Sequence, residues 1–320
     1  MYQSTITPYQ TKSAVLFVIF NRPDTTGRVF EQIRAARPAR LYVAADAPRP
    51  GNAADNSLCM QTRAIIDNID WDCELKTLFN EKNKGCKNSV SAAITWFFDN
   101  EEEGIVLEDD CLPSNSFFKF CDTLLAKYRD DTRIRHITGC NLQLGKKWGD
   151  FSYYFSNRTH VWGWASWRRV WNEYDLHLGK YHEPEIRERL QNIYQDPLVV
   201  ESWLNIFKDV KAGRVNSWGY PLDFINFFNN GLVIIPNENL VSNIGFGNGA
   251  TNTLAESVYA NLPVAEIDEI TDPVFILPEK RADLAIINRD FNIDERRRKQ
   301  KALKHRLKRW LVSSFDNAAL

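Results

Sequence analysis

Apolar runs alternate with polar, helix-forming stretches over the first third of the chain. Four runs have the length and residue types of buried parallel strands; they are Ser13 to Phe20, Leu41 to Asp46, Leu75 to Phe79 and Gly104 to Leu107. Between them we expect helices at Thr25 to Arg34, around Met60 to Asn68, and at Ser89 to Phe98. Strands that alternate with helices at this spacing predict βαβ units, and hence an α/β fold with a mainly parallel sheet.

Polar residues lie at or just beyond the ends of these strands. Because the carboxyl ends of parallel strands meet along one edge of a sheet, we expect Asn21, Asp46, Asn83 and residues 108–110 to line one crevice. Each of them is also compatible with an ordinary loop position. The prediction of a binding crevice therefore depends on all of these residues meeting at one edge of the sheet.

Three adjacent carboxylates, Glu108, Asp109 and Asp110, follow the fourth apolar run directly. Like charges side by side repel, so the fold needs a cation next to them. Oxygen ligands of this kind suit a hard divalent metal, which can in turn bind a diphosphate. A solvated acidic turn is the alternative, because Pro113 and Ser114 follow at once.

The pattern changes after residue 111. A helix is expected at Phe117 to Tyr128 and a strand at Ile134 to Thr138, before an aromatic stretch in which Trp162 and Trp164 flank Gly163. Aromatic faces commonly pack against sugar rings, so this stretch is a candidate carbohydrate-contacting loop. Core packing of the same tryptophans is the alternative.

Charge is distributed unevenly along the chain. The formal net charge is −1, but residues 296–309 carry nine Lys or Arg and no acid, which leaves 31 basic against 41 acidic residues elsewhere. Residues 296–312 also have a helical apolar stripe, formed by Leu303, Leu307, Trp310 and Leu311. A basic helix with a narrow apolar stripe favours contact with an anionic membrane surface. Docking of the stripe on the acidic body is the alternative, and nucleic acid is disfavoured because no recognition motif accompanies the basic residues.

Composition excludes several classes of protein. With 320 residues and 44% hydrophobic content, the chain has enough apolar side chains for a large core. No window approaches the roughly 18 apolar residues of a membrane span, and the N-terminus lacks a secretory signal pattern. We therefore expect a cytoplasmic protein whose six scattered cysteines are thiols, without a zinc site.

Several motifs together resemble bacterial glycosyltransferases of the GT-A (nucleotide-diphospho-sugar transferase) class, close to family 2. The resemblance spans residues 13–255, and the motifs occur in the order of that class. They are Asn21-Arg22-Pro23, Asp46, Asn83-Lys84-Gly85-Cys86, the segment from Glu108 to Pro113, the segment from His160 to Arg169, and Asn243-Ile244-Gly245-Phe246-Gly247. More distantly, the acidic triplet and the Trp-Gly-Trp segment look like the N-acetylglucosaminyltransferase that initiates complex N-glycans.

The resemblance implies roles for the residues of the crevice. Asp110 corresponds to the carboxylate that binds Mn²⁺ or Mg²⁺ on the donor diphosphate, while Glu108 and Asp109 would face the ribose and sugar. Asp46 would accept a hydrogen bond from the base and favour uracil, which makes a UDP-sugar the expected donor. Further cofactor-binding candidates are Asn21, Arg22, Asn83, Lys87, Trp162 and Trp164.

Asp223 and Asp109 are the candidate catalytic residues. An inverting transfer, which the resemblance implies, needs a base that deprotonates the acceptor hydroxyl. Asp223 is the best candidate, in a loop that precedes a helix ending near Gly231. Capping of this helix is its alternative role, and a retaining outcome stays open.

Two positions depart from the pattern of that class. Gly219 follows Trp218 where relatives have Asp, and Asn252 stands where they have His. Both departures are compatible with weaker metal binding. They are also compatible with a carbohydrate-binding or scaffold protein that has no catalytic activity. A sugar-phosphate nucleotidyltransferase is a further alternative, although the Gly-rich loop of those enzymes is missing after the first strand.

The expected organisation is a GT-A domain at 1–255, divided into a nucleotide-sugar half (13–112) and an acceptor half (113–255), with a C-terminal extension at 256–320. The expected function is metal-assisted transfer of a sugar to a surface-glycan precursor, including a lipid-linked saccharide. The enzyme would act at the inner face of the cell membrane.

Overall fold

A computed structural model describes residues 8–246 and 257–316. Its strands are β1 Val15–Ile19, β2 Arg40–Ala45, β3 Glu74–Phe79, β4 Glu103–Glu108, β5 Cys111–Pro113, β6 Ile134–Thr138, β7 Tyr153–Ser156, β8 Trp164–Trp167, β9 Leu232–Pro236 and β10 Val241–Asn243. Its α-helices are α1 Pro23–Ala36, α2 Ala53–Ala64, α3 Cys86–Asn100, α4 Asn115–Lys127, α5 Arg168–Trp171, α6 Glu183–Ile193, α7 Pro197–Lys211, α8 Gly219–Phe228, α9 Lys280–Phe291 and α10 Ile293–Asp316, and a 3₁₀ helix covers Ile65–Asn68.

Eight strands form one mixed sheet in the order β3-β2-β1-β4-β8-β6-β9-β7. The first four strands of this order run parallel. Of the remaining pairs, β6 and β9 are parallel, whereas β8 is antiparallel to both of its neighbours and β7 is antiparallel to β9. The predicted α/β class with a mixed, mainly parallel sheet is confirmed. A separate two-stranded ribbon joins β5 to β10.

The apolar patterns explain these elements. Every residue of β1 is buried, as expected for a central strand covered on both faces. Pro23 stands at the start of α1, where its missing N–H has no helical partner to lose. The apolar face of α1 buries Val29, Phe30 and Ile33, and burial of each side chain is worth about 1.5–3 kcal/mol.

Some boundaries differ from the sequence-based expectation. The second helix was expected around Met60 to Asn68, but α2 begins at Ala53, because Asn52 accepts a hydrogen bond from the Asp55 N–H and caps it. α8 begins at Gly219, so Asp223 lies inside a helix rather than in the loop before it.

The C-terminal region packs on the rest of the chain. Glu266 accepts hydrogen bonds from the backbone N–H groups of Asn115 and Ser116, and Asp272 accepts one from the Tyr153 hydroxyl. α10 is docked through its first turns, where Arg296 donates to Ser202 and Ile293 is buried. Leu303, further along α10, is 57% exposed. Over the described ranges, no helix combines the length and apolar character that crossing a bilayer requires.

Candidate functional site

The candidate site lies where the parallel strands β1, β2 and β4 end. These strands are neighbours in the sheet, so the loops that follow them are neighbours as well. Arg22 comes from the loop after β1, Asp46 from the loop after β2, and Asp109 with Asp110 from the turn after β4.

Arg22 forms ion pairs with two of the three adjacent acids. Its Nη1 donates a hydrogen bond of 2.9 Å to Oδ2 of Asp110, and its Nη2 forms an ion pair with Oδ1 of Asp109. Asp109 also accepts a hydrogen bond of 3.2 Å from the backbone N–H of Phe20. The side chain of Asp109 is 4% exposed, whereas those of Asp110 and Arg22 are 17% and 22% exposed. Asp110 and Arg22 are therefore the members of this group that a ligand can reach.

Burial and mutual repulsion shift the pKa values of this group. Burial raises the pKa of Glu108 to about 8, and the charges of Asp110 and Asp109 act in the same direction. Burial also raises the pKa of Asp109, to about 6, against the opposing charge of Arg22. Burial disfavours the charged form of Arg22, but the two aspartates outweigh it and raise the pKa of the guanidinium. The cluster carries excess negative charge, which a bound cation would stabilise.

Asp46 organises the loop before α3. Its carboxylate accepts hydrogen bonds of 2.9–3.0 Å from the backbone N–H groups of Ala47, Lys84 and Gly85 and from the Asn80 side chain. A carboxylate has about four acceptor sites, and the protein fills them. Asp46 thus holds this loop in place, and its contact with the base of a donor stays a prediction.

Asn21, Asn83 and Lys87 border the same crevice. Asn21 donates a hydrogen bond of 2.8 Å to Asp55, and Asn83 donates one of 2.6 Å to the carbonyl oxygen of Ala47. Lys87 lies in the first turn of α3, where no side chain caps the helix. The convergence of these loops agrees with the topological argument, whereas contact with a donor stays a prediction for all three.

The sequence-based search missed the ion pair of a buried aspartate in this region. Asp55 is 1% exposed and accepts two hydrogen bonds from the side chain of Arg49, and these bonds lower its pKa to about 2. Arg49 also lies over the ring of Phe20, 5.7 Å from its centre. The pair connects the loop after β2 with the loop after β1. The spacing of these residues along the sequence does not predict this contact.

Residues 244–246 lie over the turn after β4 that carries Asp109 and Asp110, called the acidic turn from here on. The backbone N–H of Ile244 donates a hydrogen bond of 2.8 Å to the carbonyl oxygen of Asp110. A side chain at Gly245 would collide with Asp110 and with Nη1 of Arg22. The sequence motif here was recognised, but this close approach was not predicted. Gly247 and Asn252 lie outside the described residues.

The two candidate tryptophans are placed differently. Trp162 is half-buried and packs edge-on against Phe246, with ring centres 5.8 Å apart. Trp164 is fully buried in β8 and stacks against Trp171 and Trp218. The expected sugar contact is corrected for Trp164, which belongs to the core. Gly163 between them has φ +60° and packs against Val241, so a side chain there would be both strained and crowded.

Asp223 belongs to a different cluster from the acidic triplet. It is 6% exposed and accepts a hydrogen bond of 3.1 Å from the Thr159 backbone N–H. Burial raises its pKa to about 6, against the opposing charge of Arg158. Its partners among the described residues are Thr159 and Arg158, and a catalytic role for Asp223 and Asp109 stays a prediction.

The acidic turn provides an incomplete set of metal ligands. Among the described residues, no three His, Cys, Asp or Glu side chains are arranged to hold a metal ion. Asp110 offers one partly exposed carboxylate, and Mg²⁺ is commonly held by one or two carboxylates together with substrate phosphates and water. The residues present therefore fit a divalent cation that arrives with a diphosphate.

Comparisons with known proteins give remote structural matches. No family model matches the chain, and no curated protein matches it in sequence. The mannosyltransferase PcManGT from Pyrobaculum calidifontis, solved with GDP-Man and Mn²⁺, is 12% identical and has a TM-score of 0.38, over 70% of this chain and 72% of that one. HddC from Yersinia pseudotuberculosis is 9% identical, with a TM-score of 0.31, over 51% and 80% of the two chains. A UDP-glucose pyrophosphorylase is 10% identical, also at 0.31, over 52% and 81%. Similarity this remote carries no argument about function.

Proposed function

We propose that this chain is a glycosyltransferase that moves a sugar from a nucleotide-diphosphate donor to a saccharide acceptor. The observation that carries the proposal is the group formed by Arg22, Asp109 and Asp110 at the adjoining ends of β1 and β4. Crevices at the carboxyl ends of parallel strands are where α/β proteins bind nucleotides. The motif resemblance described above supports the same assignment.

The residues of this group suit the charge changes of sugar transfer. Cleavage of the sugar–phosphate bond places negative charge on the leaving diphosphate, and a fixed guanidinium stabilises that charge without a proton. Arg22 uses two nitrogens on the aspartates and is reachable from solvent, so its remaining N–H groups are available to phosphate oxygens. A divalent cation held by Asp110 and the diphosphate would supply further charge neutralisation.

The candidate base for the acceptor hydroxyl contributes less to the proposal than the donor-site residues. Asp223 is buried and hydrogen-bonded within its own cluster, so the donor-site proposal does not depend on it. This placement favours a second candidate function, a nucleotide-sugar-binding protein without transfer activity. Turnover separates the two functions, whereas donor binding is common to both.

We extend the proposal to a UDP-sugar donor, a lipid-linked saccharide acceptor and a position at the cytoplasmic membrane surface. The nine basic residues between 296 and 309 support membrane contact, because each is worth about 1 kcal/mol near an anionic leaflet. The exposed side chains of residues 301–306 are consistent with that role.

The deciding experiment is donor binding by the full chain. Thermal stabilisation by UDP-, GDP-, CMP- and dTDP-sugars is measured with Mn²⁺ and with a chelator, for the wild type and for Asp110→Ala. Asp130→Ala, an exposed acid after α4, is the matched control. We expect one donor class to stabilise the wild type and the control but not Asp110→Ala.

Turnover is then measured as release of the nucleotide diphosphate. Binding without release, with or without saccharide acceptors, would favour the binding protein. Failure of every donor to stabilise the chain would overturn the proposal as a whole.

A further inference from the structure

A second cleft lies away from the candidate donor site. It has a volume of about 820 Å³ and is bounded by the end of α6, the start of α7, one face of α9, the first turn of α10 and the loop that holds Lys146 and Trp148. Trp148 packs with Tyr154 of β7 and Val233 of β9, at the end of the sheet order remote from β1 and β2. No role assigned above involves this cleft.

Two lysines in its wall have no carboxylate partner. The ammonium of Lys146 lies 3.9 Å from the centre of a Trp148 ring. Lys280 donates to two neutral oxygens, the Asn157 side chain at 2.6 Å and the Ile193 carbonyl at 3.2 Å, which leaves a third N–H. Within 8–246 and 257–316, neither lysine forms an ion pair.

Arg297 is paired with both Asp196 and Asp294, and Arg281 is paired with Glu279. Together with Lys146 and Lys280, these groups are four cations and three carboxylates, and the buried Asp283 acts on Lys280 without forming an ion pair with it. An anion in the cleft would therefore be attracted to the two lysines that lack an ion pair, and not by a large net charge.

Two further hydrogen-bond donors in this wall have no protein partner. The indole N–H of Trp148 and the hydroxyl of Tyr194 are buried without an acceptor among the described residues. Both residues line the cleft and are at least nine-tenths buried. A buried donor without an acceptor costs about 1–3 kcal/mol. Both atoms have almost no accessible surface, so a ligand in the cleft would reach them only after a movement of the cleft side chains.

Part of the cleft lining is apolar, beside the polar side chains of Asn192, Gln195 and Asn288. Leu284 of α9 is 45% exposed, although it sits next to the buried residues Ile287 and Ile293. The cleft thus combines cationic and hydrogen-bond-donating groups with an exposed aliphatic surface, the combination that an amphiphilic anion requires.

We propose that this cleft binds a single anionic phospholipid, with its phosphate between Lys146 and Lys280 and an acyl chain along Leu284. A saccharide fits less well, because Lys146 and Arg281 already lie over the rings of Trp148, at 3.9 and 5.3 Å from their centres. The cleft is also continuous with α10, whose first turns form part of its wall and whose exposed residues 301–306 include Lys301, Lys304 and Arg306. This site does not depend on the proposed transfer of sugar.

The test uses the full chain and a short-chain lipid below its micelle concentration. Dihexanoyl-phosphatidylglycerol is titrated calorimetrically, and dihexanoyl-phosphatidylcholine and glycerol 3-phosphate are titrated as separate arms. We expect saturable binding of one phosphatidylglycerol per chain, at least about tenfold tighter than binding of either of the other two ligands.

Two surface variants and one control locate the site. Lys146→Glu and Leu284→Glu change exposed residues of the cleft, and we expect each to weaken phosphatidylglycerol binding by about tenfold or more. Lys147→Glu makes the same charge change at the next residue, which pairs with Glu238 outside the cleft, and should alter affinity less than twofold.

Three results would overturn the proposal. One is the absence of saturable binding. Another is equal weakening by Lys147→Glu, because the attraction would then belong to the surface in general. The third is binding of glycerol 3-phosphate as tight as that of phosphatidylglycerol together with an unaffected Leu284→Glu, because the ligand would then be free phosphate.

Discussion

Nη1 of Arg22 lies 2.9 Å from Oδ2 of Asp110, so the carboxylate expected to hold a metal already has a cation beside it. The sequence predicted that three adjacent acids need positive charge nearby, and a side chain from the β1 loop supplies it. The donor diphosphate that we propose for this site would therefore meet a guanidinium whose position the aspartates fix.

Removal of this guanidinium should destabilise the fold. We expect Arg22→Met to lower the free energy of unfolding by about 3 kcal/mol, because it leaves two poorly exposed carboxylates without their partner. Chemical denaturation of the variant measures this loss. Arg28→Met, an exposed position on the same helix α1, should change stability by less than about 0.5 kcal/mol.

A second variant isolates the charge effect. Adding Asp110→Asn to Arg22→Met removes one of the repelling carboxylates, so the double variant should be more stable than Arg22→Met alone. If the two losses simply add, the interaction between Arg22 and Asp110 contributes nothing to stability.

A methyl group at position 245 should disturb the candidate site locally. The Cβ of Gly245→Ala would collide with the side chains of Asp110 and Arg22, which must then move apart. We expect donor affinity to fall at least tenfold while cooperative unfolding is retained, as followed by donor titration and thermal unfolding. Gly27→Ala in α1 is the control, because a Cβ there meets no atom within 4 Å and alanine favours a helix by about 1 kcal/mol. Unchanged donor affinity in Gly245→Ala would contradict the placement of the donor at this turn.

The sequence predicted the parallel half of the fold well. Long apolar runs made β1, β2 and β4 visible, and the topology then brought Arg22, Asp46 and Asp110 to one edge. The antiparallel strands β7 to β9 were harder to place, because periodicity alone does not show which strands pair.

The roles of individual side chains were less predictable. An aspartate at a strand end can bind a ligand or accept hydrogen bonds from a neighbouring loop, and the carboxylate of Asp46 accepts them from the loop before α3. Trp164 is next to Gly163 in an aromatic-rich segment, yet it lies in the core, because every residue of β8 is buried. These outcomes depend on tertiary neighbours that sequence spacing does not encode.

The buried carboxyl of Asp223 should make stability fall as pH rises. Because burial raises its pKa in the folded state from 3.8 to about 6, the folded protein keeps a proton that the unfolded chain has lost. We expect the stability of the wild type relative to Asp223→Asn to fall by about 3 kcal/mol in total as the pH rises from below 3 to above 7, with most of the fall between pH 4 and 6. Denaturant unfolding at several pH values measures this difference. Asp290→Asn, a partly exposed neighbour of Arg158, is the control.

The same variant tests the assignment of Asp223 to a separate cluster. Its contacts do not include the acidic turn, so donor affinity of Asp223→Asn should match the wild type within twofold. A large loss of donor affinity would place Asp223 in the donor site and contradict this division.

A buried histidine should produce the opposite pH dependence. His136 is fully buried, with its ring stacked on Trp164 and its Nε2 2.8 Å from the carbonyl oxygen of His160. Burial lowers its pKa from 6.5 to about 4. Between these two pH values, this histidine is therefore protonated in the unfolded chain and neutral in the folded protein. Stability relative to His136→Gln should therefore be constant above pH 6.5 and fall by roughly 3 kcal/mol as pH drops to 4.

This measurement needs an internal reference, because His160 and Arg158 lie in the same region and burial lowers the pKa of His160 as well. His160 is retained in the His136→Gln variant, so its contribution largely cancels in the difference. His177→Gln changes an exposed histidine and is the matched control. If the stability difference for His136→Gln were the same at pH 4 and pH 7, the folded protein would have to accommodate a charged His136. The ring would then need an acceptor or a solvent path that the packing of β6 against Trp164 does not provide.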